Sequence, residues 1–211
     1  MKTADLIRAL SADKVVSPSP RRALALALTP GVAIALCFYF GIVGLRPHFL
    51  TLLGEPRLLF KVCLTALFVA LSAMLVLRVA RPGADAQSPA RLMAIAPALL
   101  AIAVVAELFA VPAAHWSHQM IGSNSMFCMK TIPFLALAPL VGILIALRNG
   151  APERPALAGA VAGLFAGAIG ALLYATHCPD DSPLFVAVWY SLAIAIVTAI
   201  GAAVGSRLLR W

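Results

Sequence analysis

The stretch His177-Cys178-Pro179-Asp180-Asp181-Ser182-Pro183 separates two long apolar runs, residues 155–176 and 184–206. Both runs have the length and evenness of membrane-crossing helices, which need roughly 20 apolar residues. The stretch between them is therefore a loop at one face of a bilayer. It brings together a histidine, a cysteine and two carboxylates. A second polar island, from His115 to Lys130, carries Cys128 and lies between two earlier apolar runs. The two islands are expected to meet on the outer face, with a short N-terminal arm at work on the inner one.

The rest of the chain agrees with that reading. Its 211 residues are 63% hydrophobic and 11% charged, with a net charge of +8, and its mean hydropathy is +0.99. A soluble domain is about 25% charged, so this chain has too few charges to cover a soluble globule. The expected fold is all-α, a polytopic membrane protein built as a six-transmembrane-helix bundle. Its spans are expected near 23–45, 58–77, 92–112, 131–147, 156–176 and 184–205, with 23–211 forming the membrane domain and 1–22 the arm. The fourth run is the shortest, and a start as early as Met126 is open. Barrel strands are excluded because the runs are too long and do not alternate. No removable signal peptide is evident, so the first run is read as a span that stays in place.

Basic residues set the orientation. With the N-terminus inside, inner segments hold Lys2, Arg8, Lys14, Arg21, Arg22, Arg78, Arg81, Arg91, Arg148, Arg154, Arg207 and Arg210, while outer ones hold Arg46, Arg57, Lys61 and Lys130. Cytoplasmic loops carry the excess of Lys and Arg, so both termini are expected in the cytoplasm and the His177–Pro183 loop outside. Glycines recur four apart at Gly159, Gly163 and Gly167, with Gly170 following and Gly201 and Gly205 in the last span. Such smooth faces let helices approach closely. They do not say whether the contact lies within one chain or between two.

The arm is unlike the rest. Thr3 is placed to cap a helix from Ala4, with Leu6, Ile7 and Leu10 as an apolar stripe. Asp5 and Asp13 lie elsewhere on its surface. The helix is expected to end before Ser17-Pro18-Ser19-Pro20. So short a helix is marginal in water, and its stripe needs a partner's groove or a lipid surface.

The residues leave three readings of Cys128 and Cys178 open. They are a redox pair in an oxidising compartment, with Lys130 favouring the Cys128 thiolate; a soft-metal site for zinc, cadmium or copper, with His177, His115, His118, Asp180 and Asp181 as candidate ligands or supports; or a structural disulfide or unrelated thiols. Cys37 is read as a buried packing residue, and Cys63 as packing or approaching the outer surface. Glu107, inside the third span, wants a cation such as Arg57, Lys61 or Lys130. No enzyme is expected, because no catalytic triad order, H-E-x-x-H, P-loop or dinucleotide fingerprint is present. A small membrane transporter or channel subunit is the alternative, although spans three to six offer almost no polar path.

On these residues the chain resembles the NrsF-type anti-sigma factors, six-span inner-membrane proteins, over nearly its whole length. Three features carry the likeness. One is Asp5-Leu6-Ile7-Arg8-Ala9-Leu10-Ser11-Ala12-Asp13 before a proline-bearing spacer. Another is Cys128 near the fourth span. The most specific is His177-Cys178-Pro179-Asp180-Asp181 ahead of Pro183 and Trp189-Tyr190. Cys37 and Cys63 fall outside that pattern, and Lys14-Val15-Val16-Ser17-Pro18 departs from its simpler Val/Pro spacer. The resemblance implies capture of an extracytoplasmic-function (ECF) sigma factor by Asp5, Leu6, Ile7, Leu10 and Asp13. It also implies release when heavy metal or oxidative stress reaches the periplasmic thiols Cys128 and Cys178. No resident cofactor and no direct nucleic-acid contact are implied, only a sigma factor and inner-membrane lipid, with the oligomeric state left open.

Overall fold

Lipid offers no hydrogen bonds, so each apolar run must satisfy its own backbone, and helices do this within one segment. The computed structural model describes residues 3, 5, 19–81, 87–148, 150 and 152–210. Among them, six helices are long and apolar enough to cross a membrane. The main helix of each is α1 (Pro20–Phe38), α2 (Pro56–Val79), α3 (Ile95–Ala110, in a span that runs Ser88–Ala110), α4 (Ser125–Arg148), α5 (Pro155–Ala175) and α6 (Ser191–Leu208). Two of them carry a π-helical turn at the same end of the bundle. Tyr39–Val43 extends α1, and Val186–Tyr190 leads into α6 after a helical turn at Pro183–Phe185.

The expected spans are present, with shifted ends. The fourth begins earlier, at Ser125, and so takes Cys128 into its first turn. The third is broken after the short helix Gln87–Leu92. In the arm, Thr3 and Asp5 are both helical and exposed. Thr3 thus lies within the helix rather than capping it from outside. Leu6, Ile7, Leu10 and Asp13 lie outside the described residues, as does Trp211.

Helix α5 is the centre of the bundle, packed against α2, α4 and α6. Its glycines explain how closely it is held. A Cβ at Gly159 would collide with the carbonyl oxygen of Gly201, and one at Gly163 would stand 2.8 Å from the Cα of Thr198. Gly159, Gly163 and Gly167 are therefore spent inside the chain against α6, and Gly170 against Ile132 and Ala136 of α4. A second close crossing joins α1 to α4, where Gly31 meets Ala138 and Gly142 meets Ala27. Dispersion between tightly apposed backbones replaces the hydrophobic drive that lipid removes. Helix α3 stands off from this frame. Ile102, Val105 and Phe109 face outward, and a groove of about 500 Å3 lined by Leu64, Phe68, Leu100 and Ile194 opens beside it.

Cys37 is exposed on the surface of α1, as is Cys63 on α2. That corrects the expectation that Cys37 packs inside. A run apolar all round carries no phase to say which side faces lipid. The end of the bundle opposite Cys178 carries Arg78, Arg148 and Arg207 in the last turns of α2, α4 and α6, where cations favour the helix dipoles.

Gly163→Val overpacks the α5–α6 contact and should cost about 1–3 kcal/mol. Gly41→Ala should be close to neutral, since nothing lies within 4 Å of a Cβ there. Unfolding of each variant in mixed micelles, followed by helical circular dichroism, checks the difference.

Candidate functional site

The loop after α5 has no ladder or helix of its own, so its shape depends on its ends and side chains. The chain closes α5 with His177 N and Cys178 N both donating to Tyr174 O. Thr176 Oγ1 donates to Leu173 O, and the Tyr39 hydroxyl at the π turn of α1 donates to Thr176 Oγ1. At the far end Ser182 Oγ accepts from Leu184 N, ahead of Pro183 at the first helical position. A serine followed by proline is a common helix start.

Between these ends two adjacent carboxylates reach in different directions. Asp180 accepts from Asn124 N at 2.9 Å and Ser123 N at 3.1 Å, and from Asn124 Nδ2 at 3.2 Å. Asn124 O in turn accepts from Cys128 N at 2.8 Å. Asp180 therefore caps the N-terminus of α4 from another part of the chain and places negative charge at its positive pole. Gly122 makes this possible. Its φ of +60° turns the chain into Ser123, and a side chain there would meet the Phe185 ring and the Asp180 carboxyl.

Asp181 pairs with Lys61 of α2 and, at 2.8 Å, with Arg46 beyond α1. Lys61 is fully buried. Besides Asp181 it donates to Cys178 O at 2.7 Å and Asp180 O at 3.3 Å. An ammonium has three donors, and all three go to this loop. Arg46 N also donates to Thr176 O, and His177 Nδ1 donates to Gly44 O at 2.9 Å. The loop is thus tied to α1, α2 and α4 at once.

Under it lie Cys128 and Cys178, both free thiols and both with no exposed surface. They share a core cluster with Tyr39, Ile132, Tyr174, Phe185 and Tyr190. The Tyr174 and Tyr190 hydroxyls make no well-aligned hydrogen bond and have the Cys178 sulfur as their polar neighbour. Burial pushes the Cys178 thiol up, and the Lys61 ammonium pulls it part of the way back. A thiol held protonated and covered is unreactive. Lys61 is the cation whose field reaches both sulfurs, whereas Lys130 is exposed. The expected role of Lys130 passes to Lys61.

The two polar islands do meet, through Ser123, Asn124 and Asp180. The candidate metal ligands do not gather with the thiols. Among the described residues no group of three or more His, Cys, Asp and Glu is placed to hold a metal ion. His177, Asp180 and Asp181 are engaged in the contacts above, and His115 and His118 are exposed on a neighbouring short segment. His118 lines an open cavity of about 390 Å3 above the loop, together with Arg46, Arg57 and Pro179. Glu107 is buried and has Arg57 as its cation, Nη2 to Oε1 3.3 Å, without an aligned hydrogen bond. Sequence reasoning missed Lys61, Arg46 and Ser123 as parts of the site. The signal for Lys61 was present, because a lysine inside a span needs a partner.

A family profile described as "NrsF: Negative regulator of sigma F" matches residues 9–211. Two relatives match end to end. The "Anti-sigma-F factor NrsF" of Caulobacter vibrioides and the "Probable anti-sigma-F factor NrsF" of Azospira oryzae are each 35% identical over 214 residues, covering the whole of both chains. No solved structure matches.

Two outcomes follow from the site. Asp180→Ala leaves the Ser123 and Asn124 amides at the head of α4 without their acceptor and should lower stability by about 0.5–2 kcal/mol, read from thermal unfolding in detergent. The raised Cys178 thiol binds its proton more tightly when folded than when unfolded. Its contribution is present in full below the ordinary thiol range near about 8.5 and is lost as pH rises through it. Melting temperature should therefore fall with alkaline pH, and Cys178→Ala should flatten that slope.

Proposed function

The chain belongs to the NrsF family of negative regulators of sigma F, and on that premise we propose that it captures an ECF sigma factor at the bacterial inner membrane and releases it when Cys128 or Cys178 is modified. That membership displaces the transporter or channel alternative. The observation that carries the reading is the end-to-end family match on a chain with six helices fit to cross a membrane. Capture alone suffices for inhibition, since a sigma factor bound to the membrane is withdrawn from free polymerase by mass action.

The arm supplies the contact. Its stripe of Leu6, Ile7 and Leu10 seats in an apolar groove of the partner, with Asp5 and Asp13 meeting basic residues at the rim. Rim charges serve specificity and encounter more than affinity. With both termini in the cytoplasm, the Cys128 and Cys178 end of the bundle faces the periplasm. The stimulus is a thiol-reactive species, either an oxidant or a thiophilic ion of the zinc, cadmium or copper group.

The route from thiol to arm runs through the helices. Sulfurs with no exposed surface cannot take an adduct while the loop stays closed. Its displacement disturbs Asp180 at the head of α4 and the Asp181 pairs to α1 and α2. Helix α1 leads back to the arm, so two arrangements of α1 against α4 differ in how they present it. A ligand or modification shifts such an equilibrium only through its differential free energy for the two states.

The test is co-purification of a candidate sigma factor with the protein in native membranes. Removal of residues 1–20 should abolish retention. A Cys128→Ser, Cys178→Ser protein should retain the partner as wild type does and fail to release it on oxidant or cadmium. Release from that double variant at the wild-type dose would reject the thiols as sensors, and full retention by the truncated chain would reject the arm.

A further inference from the structure

All three Lys61 donors go to Cys178 O, Asp180 O and the Asp181 carboxylate, three groups of one short loop. The lysine itself projects from the second turn of α2, a helix packed along the centre of the bundle. No other described residue bonds both to the backbone of Cys178 and to a side chain of the loop's carboxylate pair. We infer that Lys61 is a positioning residue that latches the 177–182 loop over Cys178 and thereby sets how readily that thiol is reached.

The geometry leaves the latch little room to yield in part. Cys178 donates its own backbone N–H to Tyr174 O and gives its carbonyl to Lys61. Lifting the sulfur into solvent therefore moves the carbonyl off the ammonium. Asp181 can keep Arg46 as a partner, while Lys61, on the buried face of α2 that it shares with Leu58 and Leu64, keeps none. A buried ammonium stripped of its partners is the costly member of such a group. The closed loop is therefore favoured as long as Lys61 is in place. The same residue has a second, opposite influence, because its field favours the Cys178 thiolate.

These two influences give the test its sign. Alkylation of Cys178 by N-ethylmaleimide is followed by mass spectrometry in the full-length protein in native bilayers. Lys61→Met keeps length and apolar bulk, and should speed alkylation by roughly 10- to 100-fold, the equivalent of one charged hydrogen bond lost from the closed state. Lys61→Arg should label at close to the wild-type rate. Asp181→Asn, which leaves both carbonyl bonds of Lys61 in place, should fall between and guards against a Lys61→Met chain that does not fold. If Lys61 acted only through its charge, its loss would make the thiol less acidic and slow the reaction. Equal or slower labelling in Lys61→Met and in Asp181→Asn would overturn the latch.

The bearing of the latch on signalling rests on the thiol-sensing reading above, while control of access does not. Faster alkylation with unchanged oxidant release upholds Lys61 and overturns Cys178 as the sensing thiol. Unchanged alkylation with normal oxidant release overturns Lys61 and leaves sensing in place.

Discussion

An ammonium inside a membrane-spanning helix must be fully partnered or it does not stay there. Lys61 meets that condition only through the 177–182 loop, and much at that end of the bundle follows from it. The loop must lie across α2 so that two carbonyls and a carboxylate can converge on one nitrogen. That position brings Asp181 within reach of Arg46, and it presents Asp180, on the other side of the backbone, to the open N-terminus of α4. Neighbouring carboxylates of identical chemistry thus do different work, one neutralising charge and the other capping a helix. The cysteine just before them is covered as a consequence.

The two ends of the bundle are built on different physical terms. Toward the end away from the loop, α5 and α6 meet backbone to backbone at Gly159, Gly201 and Gly205, leaving no slack for one helix to slide on the other. Toward the loop end Gly170 still seats against Ile132 O of α4, but around the thiols stand longer side chains, two π turns and two tyrosine hydroxyls without aligned partners. Extra residues in a helical turn and unsatisfied buried hydroxyls are both features that a small rearrangement can relieve. Rearrangement is therefore easier around the thiols than at the glycine crossings of α5 with α6 and of α1 with α4.

Much of this was legible in the sequence, for reasons that are themselves physical. Six apolar runs can only be helices in lipid, and glycines four apart mark close approach, so the bundle and a close helix contact could be read, but not which helix supplies the other face. The meeting of the two polar islands followed from counting faces. What failed was rotation about each helix axis. A helix apolar all round has almost no phase, so Cys37 was assigned inward when it faces out, and Lys130 was named as the cation for Cys128 although it is exposed and Lys61 is buried. The roles of Asp180 and Asp181 were missed because a metal reading considers what a carboxylate can ligate. It does not ask which helix end beside it lacks a cap.

Burial of the thiols bears directly on how such a protein would sense anything. A sulfur that is protonated and has no exposed surface reacts only from a state in which the loop has lifted, so its apparent reactivity is the intrinsic rate multiplied by the open fraction. The open fraction is set by the contacts of Lys61, Asp180 and Arg46, and the intrinsic rate by thiol acidity. The ion network therefore raises the threshold by closing the loop and lowers it by favouring the thiolate. Because the two effects enter through different quantities, residues around the network can tune one without the other. If Cys178 is the sensing thiol, a weak stimulus would go unanswered while the loop holds, and an adduct that traps the open state would shift the population. On this reading the sensor's dose dependence belongs to the loop's contacts rather than to the sulfur chemistry.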